Sequence, residues 1–188
     1  MTNKLNNIAT ITTGLYKKPE PLGDVFYLHG KHFDKQGKLK EDAILTKDIK
    51  LNNKTEKHLL QDRDILFIAK GENNRACMYY EKYGKAIASS LFFVIRVDAN
   101  VLLPEYLRWY INTPATQRKL EQFSRGSHIP SISKKSLMEL EVYLPSIDTQ
   151  KQILKIEETW GTEKDITLQI IKEKETYYQT LLLNLSKK

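Results

Sequence analysis

The chain has 188 residues, of which 40% are hydrophobic, and a formal net charge of +7. This length suits one domain with an appendage, and the hydrophobic content excludes a disordered chain. The single cysteine, Cys77, excludes an internal disulfide framework. The N-terminus has no apolar signal-peptide core, and no stretch approaches the roughly 20 apolar residues of a membrane span. We therefore expect a soluble, cytoplasmic protein without a membrane partner.

The positive charge is concentrated in the first part of the chain. Residues 1–147 carry 23 Lys and Arg against 16 Asp and Glu, whereas residues 148–188 carry 7 of each kind. Basic side chains on one surface attract phosphates and release counterions, which is the sequence-independent part of nucleic-acid affinity. The distribution favours nucleic acid as a partner of residues 1–147, although many basic proteins bind none.

The first hundred residues predict short strands separated by polar loops. The predicted strands cover residues 5–13, 24–28, 44–49, 65–69, 77–80 and 90–97. The fourth and fifth of these are expected to form a hairpin across a turn at residues 71–75. Residues 30–40 form a basic loop that contains glycine.

Two short helices are predicted to follow the strands. Pro104 opens the first, because proline favours the first helical position. The second covers residues 114–123. The apolar face of the first helix consists of Tyr106, Leu107, Tyr110 and Ile111.

Residues 126–153 hold the most specific pattern in the chain. Turn residues at 126–131 precede Ser133, which is predicted to cap a short helix that extends to Met138. Apolar residues then alternate with polar ones over 140–144, as in a half-buried strand, and Pro145 ends that strand. Asp148 or Thr149 is predicted to cap a helix that continues almost to the C-terminus.

Apolar residues recur along residues 148–188 at mostly three- and four-residue steps. Roughly 35 helical residues extend about 50 Å at 1.5 Å each, too far to be buried against one small domain. We expect this stripe to pair with a partner helix, with a bend or a loosely packed turn at Gly161 and residues 162–165; the alternative is a helix folded back onto its own domain. The predicted stripe consists of Ile153, Ile156, Trp160, Ile166, Ile170, Tyr177, Leu181 and Leu185.

The sequence offers little for catalysis. His29 and His32 could touch a metal, yet no Cys lies close enough in sequence to complete a site. Cys77 sits in an apolar strand and is interpreted as a core residue. We find no glycine-rich cofactor loop and no motif by which adenine methyltransferases hold an extruded base. We therefore predict no catalytic residues, no metal and no cofactor.

The order of the parts in residues 126–153 resembles a known family. In chain order, the segment contains a Gly-Ser turn, Ile-Pro-Ser-Ile-Ser, a basic pair with Leu, a strand ending in Leu-Pro and a Gln-Lys-Gln-Ile helix start. This order is similar to the end of a target-recognition domain in type I restriction-modification specificity subunits. Shorter segments resemble the same family at residues 5–14, 61–71 and 88–107. The resemblance covers nearly the whole chain, although only the part from Gly126 onward is specific.

The resemblance implies an α+β fold with one globular target-recognition domain over residues 1–147. A long C-terminal coiled-coil-type helix over residues 148–188 would serve dimerisation and spacing. Members of the family carry two recognition domains and two such helical regions, whereas this chain has room for one of each. We therefore expect a half-length form, acting as a homodimer that recognises a bipartite target.

The resemblance also implies partners and a non-catalytic role. The expected partners are double-stranded DNA, a DNA adenine methyltransferase subunit and a motor restriction subunit. Two alternatives stay open. One is a DNA-binding adaptor or orphan module in phage defence that lacks base specificity. The other is a small enzyme that depends on His29, His32 or Cys77.

Candidate DNA contacts follow from side-chain chemistry. Loops that combine Lys or Arg with Asn, His, Ser or Tyr can hold phosphates and also recognise base edges. Four loops have this composition: residues 16–18, 29–40, 70–75 and 125–128. Asn73, Asn74 and Arg75 are the leading candidates for base specificity, since Asn pairs with adenine edges and Arg with guanine. The full set is Lys17, Lys18, Lys31, His32, Lys70, Asn73, Asn74, Arg75, Arg125, Ser127 and His128.

Overall fold

A computed structural model describes residues 2–71, 74–123 and 131–187. Its nine strands and five α-helices within those ranges form an α+β fold with a long final helix, as predicted. The strands are β1 Thr2–Lys4, β2 Ala9–Thr13, β3 Val25–Leu28, β4 Lys47–Ile49, β5 Ile65–Ile68, β6 Ala76–Met78, β7 Ala86–Ala88, β8 Phe92–Val97 and β9 Glu141–Tyr143. The helices are α1 Leu5–Ile8, α2 Pro104–Asn112, α3 Pro114–Phe123, α4 Lys134–Met138 and α5 Ile147–Leu185.

Three sheets organise the domain. A four-stranded sheet has the order β2-β8-β5-β6, and all its pairs are antiparallel. A three-stranded sheet has the order β4-β3-β7, with β3 and β7 parallel. The third sheet pairs β1 with β9 and so joins the two ends of the domain.

The main core lies between the two larger sheets. Successive side chains of a strand point to opposite faces, so Leu28 packs toward the four-stranded sheet while Val25 and Tyr27 pack on the other face of β3. Both faces of the three-stranded sheet are therefore covered. The main cluster consists of Leu28, Phe33, Leu60, Leu66, Ile68, Cys77, Tyr79, Ala86, Ala88, Phe92 and Val94.

The helices cover the edges of the sheets. Asn112 donates to the carbonyl of Ala76 and accepts from its backbone N–H, both at 2.8 Å, so its carboxamide pairs with the edge strand β6. The four residues predicted for the apolar face of α2 are buried. The hydroxyl groups of Tyr106 and Tyr110 donate to backbone carbonyls of β9 at 3.0 and 3.2 Å.

A buried ion pair supports the hairpin predicted over residues 65–80. Asp64 is 2% exposed and accepts from Nε and Nη2 of Arg96 at 2.7 and 2.8 Å. The backbone N–H of Gln61 also donates to this carboxylate, at 2.8 Å. Strands β5 and β6 pair in the register Ile65↔Met78, which confirms the hairpin.

The prediction of one strand over residues 5–13 is wrong in its first half. Residues Leu5–Ile8 form a helical turn, and only Ala9–Thr13 is extended. The turn carries the chain from the β1/β9 sheet to the four-stranded sheet, and the N–H of Leu5 donates to the carbonyl of Leu140 at 2.8 Å. The sequence does not predict strand β7, because three fully buried residues show no alternation.

The predicted cap of the long helix is also wrong. Helix α5 begins at Ile147, and Ser146 caps it by accepting from the N–H of Thr149 at 3.2 Å, so neither Asp148 nor Thr149 is the cap. The helix continues through Gly161 without a break. A glycine inside a helix costs about 1 kcal/mol but removes no backbone hydrogen bond, so the flanking turns preserve the helix.

The contacts between Cα atoms divide the chain into two compact units, Met1–Gln150 and Lys151–Lys188. The first turn of α5 belongs to the first unit. By contrast, the cap of α4 is as predicted, since Ser133 Oγ accepts from the N–H of Ser136 at 3.0 Å.

Candidate nucleic-acid interface

An open cleft of about 520 Å³ lies on the first unit, where several strands begin or end. Among the described residues that line it, three are cationic and none is acidic. Ile68 and Leu91 contribute apolar side chains, and two of the lining residues are glycines. The lining consists of His29, Gly30, Lys31, Ile68, Lys70, Gly71, Arg75 and Leu91.

The sheet register brings these residues together. Ile68 at the end of β5 lies opposite Phe92 at the start of β8, which places Leu91 beside the β5–β6 turn. The N–H of Ala69 donates to the carbonyl of Leu91 at 2.9 Å. Two of the four predicted basic loops, residues 29–40 and 70–75, therefore meet at one cleft.

The loop at residues 30–40 is held in shape by its own polar groups. Asp34 Oδ1 accepts from the N–H groups of Gln36 and Lys38 at 2.9 and 2.8 Å. Gly37 has φ +77°, and a Cβ there would lie 2.3 Å from the carbonyl oxygen of Ala76. The loop is therefore fixed against β6, and a side chain at position 37 would displace it.

Lys70 stands at the junction with the fourth predicted loop. It is exposed and forms an antiparallel bridge with Ser131, while the N–H of Ile132 donates to the carbonyl of Ala69 at 2.9 Å. Ser131, the first described residue after Phe123, therefore lies beside the cleft residue Lys70. Four of the predicted DNA-contact residues lie outside the described residues: Asn73, Arg125, Ser127 and His128.

Asn74 and Arg75 both bind the protein itself. Nδ2 of Asn74 donates to the carbonyl of Ile68 at 2.9 Å, which closes the β5–β6 turn. Nη2 of Arg75 donates to the carbonyl of Phe33 at 3.2 Å and ties that turn to the loop at residues 30–40. Within the described residues, the buried Nε of Arg75 has no hydrogen-bond partner. These contacts give both side chains a part in shaping the cleft.

His32 is buried and supports the same loop. It is 7% exposed, and its Nδ1 accepts from the N–H of His29 at 3.2 Å. Burial lowers the pKa of His32, and the nearby His29, Lys31 and Lys40 lower it further. Burial also lowers the pKa of His29. Both rings are therefore neutral near pH 7, and the exposed Lys31 is the cation that this loop contributes to the cleft lining.

The loop with Lys17 and Lys18 is connected to the same region through Tyr27. The Tyr27 hydroxyl donates to the carbonyl of Leu15 at 2.6 Å and accepts from the N–H of Lys17 at 3.3 Å. Its ring packs edge-on against His29, with 4.5 Å between centroids. Lys17 Nζ also pairs with Glu20 at 2.6 Å, and Lys18 is exposed. Neither lysine lines the cleft.

Leu91 is a cleft residue that the sequence does not reveal. It is 40% exposed at the cleft, although the sequence places it within the predicted strand at residues 90–97. Its exposure follows from its position one residue before β8 begins. An apolar side chain beside three cations can contact the methyl group of a base while the cations hold phosphates.

The described residues also bear on the enzymatic alternative. Burial raises the pKa of the Cys77 thiol to about 12, so it is a core thiol at neutral pH. No group of three His, Cys, Asp or Glu side chains able to hold a metal ion is found among the described residues. In the same part of the chain, no helix combines the length and apolar character needed to cross a membrane.

Most of the predicted apolar stripe is exposed on α5. Ile156, Trp160 and Tyr177 are 69%, 63% and 63% exposed, and Ile153 is half-buried. Such a row of large apolar side chains is typical of a surface that binds another helix. The other exposed members of the predicted stripe are Ile166, Ile170, Leu181 and Leu185.

The chain combines an α+β domain that has a basic cleft with a helix that has an exposed apolar stripe. These features define a class of modules that can bind nucleic acid through the cleft and a partner helix through the stripe. The sequence model described as "Type I restriction modification DNA specificity domain" matches residues 4–176. The chain belongs to this family. No curated protein matches the sequence.

Solved structures share the fold. The chain matches the HsdS subunit from Thermoanaerobacter tengcongensis with a TM-score of 0.60 and 13% identity over 87% of this chain. It matches the S subunit of the type I restriction-modification system from M. genitalium with a TM-score of 0.56 and 14% identity over 86% of this chain. A structure from a study of type I R-M complex assembly gives a TM-score of 0.61 with 13% identity over 87% of this chain. The match spans 37%, 39% and 38% of these three chains, respectively.

Proposed function

We propose that the chain is a DNA-recognition subunit of a type I-like restriction-modification system. In this role it directs an adenine methyltransferase subunit, and a motor restriction subunit where one is present, to a bipartite DNA target. Residues 1–147 bind the DNA, and residues 148–188 pair and space two copies. The subunit itself is non-catalytic and acts in the cytoplasm.

The observation that carries this proposal is the cleft with Lys31, Lys70 and Arg75 in a chain of the specificity-domain family. Cations at the cleft can hold the phosphates of a duplex, while the exposed Leu91 and the neighbouring loops face the base edges. Two copies would present two equivalent clefts and recognise two inverted half-sites, because a two-fold axis relates both protein and target.

The proposal is tested by selecting DNA from a random pool with the purified chain, alone and together with the methyltransferase subunit. The expected result is an enriched site with two inverted half-sites at fixed separation. Methylation of that site should require this chain. A pool that remains random in both conditions would overturn the proposal.

A second function has one observation in its favour. Asn74 and Arg75 bind backbone carbonyls of their own chain, and His32 is buried, so much of the described cleft offers cations rather than base-reading groups. An adaptor that binds DNA without base specificity would need only such cations, because they bind phosphates of any sequence. Affinity that depends on salt and is equal for all sequences would support this alternative.

A further inference from the structure

Tyr16 is a large aromatic residue that lies almost entirely in solvent. Its side chain is 77% exposed, and the residue follows the end of β2 by only three positions. An exposed apolar side chain alone indicates nothing, because single ones are common on protein surfaces. Tyr16 differs from a side chain on a free loop, since the backbone is fixed on both sides of it.

The hydroxyl group of Tyr27 joins the two residues that flank Tyr16. It donates to the carbonyl of Leu15 at 2.6 Å and accepts from the N–H of Lys17 at 3.3 Å. Burial raises the pKa of Tyr27, so the hydroxyl keeps its proton and remains a donor at neutral pH. One buried phenol therefore holds the peptide groups before and after Tyr16.

The residue before Tyr16 is also anchored to the end of β7. The N–H of Leu15 donates to the carbonyl of Ala88 at 2.9 Å, and Leu15 forms a parallel bridge with Ser89. The Leu15 side chain packs against the core cluster that contains Tyr27. Successive side chains of an extended segment point to opposite sides, so the ring of Tyr16 points away from this core.

The parallel bridge places Tyr16 at the end of the sheet that holds the cleft. Strands β3 and β7 and the Leu15 segment run in the same direction. Strand β3 ends one residue before His29, and β7 ends three residues before Leu91, and both of these residues line the cleft. The Leu15 segment lies two strand positions from β3, or about 10 Å. Because the major groove of DNA is about 12 Å wide, a duplex at the cleft extends as far as Tyr16.

The charges around Tyr16 favour a nucleic acid as its partner. Residues 1–19 contain no acidic residue, and two lysines follow Tyr16 directly. Nζ of Lys17 pairs with Glu20 at 2.6 Å, and Lys18 is exposed. An exposed lysine beside an aromatic ring can bind a phosphate while the ring stacks on a base.

We propose that Tyr16 is a DNA-contact residue outside the cleft, and that its ring inserts at a base step of the bound duplex and stacks on a base there. The inference rests on the proposed function, which brings the duplex to the cleft, and adds a contact of different chemistry. Apolar side chains that insert between base steps partly unstack them and kink the duplex. Since the backbone around Tyr16 is fixed before binding, ordering this loop costs little binding energy.

Tyr16→Ala and Tyr16→Phe test the stacking contact in the full-length chain. The probe is the duplex selected from the random pool, in which 2-aminopurine replaces one base at a time, because its fluorescence rises when it is unstacked. Tyr16→Ala should bind about tenfold more weakly, with an unchanged salt slope, and should lose a fluorescence rise that the unmodified chain gives at one position. Tyr16→Phe should retain the affinity and the signal, since stacking needs the ring and not the hydroxyl.

Tyr143→Ala is the matched control for Tyr16→Ala. It removes a ring that is 59% exposed and does not line the cleft, so it should change neither the Kd nor the fluorescence. A Tyr16→Ala variant that binds as tightly as the unmodified chain would overturn the proposal. So would an unmodified chain that raises the fluorescence at no position. A Tyr16→Ala variant that binds DNA normally but no longer supports methylation would overturn it and assign Tyr16 to a protein partner.

Tyr27→Phe tests whether Tyr27 positions Tyr16. Without the hydroxyl, the backbone on both sides of Tyr16 is released, so DNA binding should weaken about threefold and the fluorescence rise should shrink. In the Tyr16→Ala background the same substitution should weaken binding no further, because no ring remains to be positioned. An equal loss in both backgrounds would mean that Tyr27 acts on the cleft through His29, and would overturn its positioning role.

The stacking contact and the proposed function fail separately. If the chain selects a DNA site and Tyr16→Ala binds that site unchanged, the stacking contact is overturned and recognition stands. If the random pool yields no site, a duplex of mixed sequence replaces the selected probe. Weaker binding of that duplex by Tyr16→Ala, with an unchanged salt slope, would support the stacking contact although the recognition function is overturned.

Discussion

The side-chain oxygen of Gln150 accepts a hydrogen bond from the backbone N–H of Leu103 at 2.8 Å. The carboxamide nitrogen donates to the carbonyls of Val101 and Pro145 at 3.1 and 3.0 Å. Gln150 is fully buried, and all three contacts are to backbone groups. This side chain therefore fixes the first turn of α5 to the segment before α2.

Gln150→Ala is expected to destabilise the chain by about 2–4 kcal/mol, because it leaves buried backbone groups without partners. Gln152→Ala, which removes an exposed carboxamide from the next turn of the same helix, is expected to change stability by less than about 0.5 kcal/mol. Urea unfolding followed by circular dichroism measures both. Equal midpoints for the two variants would show that the contacts of Gln150 add nothing to stability.

The sequence predicted much of this architecture from local signals. Pro104 and Ser133 mark the starts of α2 and α4, and the alternation around Val142 marks β9, because each is a short-range effect of backbone chemistry. No such local signal indicates how two strands pair when they are far apart in the sequence. The parallel pairing of β3 with β7, for example, depends on packing between residues about sixty positions apart.

The composition of the site is easier to predict from the sequence than its geometry. Residue types alone identify the basic loops, and two of them meet at the cleft. Sequence alone could not show that Asn74 closes a turn or that His32 is buried, since a polar residue in a loop has the same pattern whether it faces solvent or the protein. The Gln-Lys-Gln-Ile pattern is recognisable only by resemblance, and the contacts of Gln150 give a physical reason for its first position.

Stability should fall between pH 7 and pH 5.5 through His32. Burial lowers the pKa of His32 from its ordinary value of 6.5, so as the pH falls the unfolded chain binds the proton first and becomes favoured. His32→Asn keeps an acceptor for the His29 N–H but does not titrate. The variant should therefore lose less stability than the unmodified chain over this pH range.

Urea midpoints at pH 7.5 and 5.5 measure this difference. Burial also lowers the pKa of His29 and His58, so part of the pH dependence should persist in the His32→Asn variant. Identical pH dependence in both chains would mean that protonation of His32 does not oppose folding.

Lys31 and Lys70 are expected to contribute to DNA affinity through phosphates. Replacing both with alanine should weaken binding to all sequences alike and flatten the plot of log affinity against log salt by about one unit for each phosphate that is no longer neutralised. Fluorescence anisotropy at several salt concentrations measures the slope. Lys57→Ala, at an exposed position that does not line the cleft, is the matched control and should leave the slope unchanged.

Leu91 should act on sequence preference instead. Its side chain carries no charge and is 40% exposed at the cleft, so Leu91→Ala removes no phosphate-binding group but can remove an apolar contact with a base. We expect the variant to bind the selected site about 1 kcal/mol more weakly, with an unchanged salt slope. The weakening should be confined to one base-pair position, and a thymine there would identify its methyl group as the partner.

Val101→Ala is the matched control for Leu91→Ala. It removes a similarly exposed apolar side chain that does not line the cleft, and it should change neither affinity nor preference. Anisotropy titrations against the selected site and its single-base variants measure both substitutions. Only a base contact discriminates among sequences. A Leu91→Ala variant that weakens binding to every sequence equally would therefore mean that Leu91 helps to position Lys70 and does not contact a base.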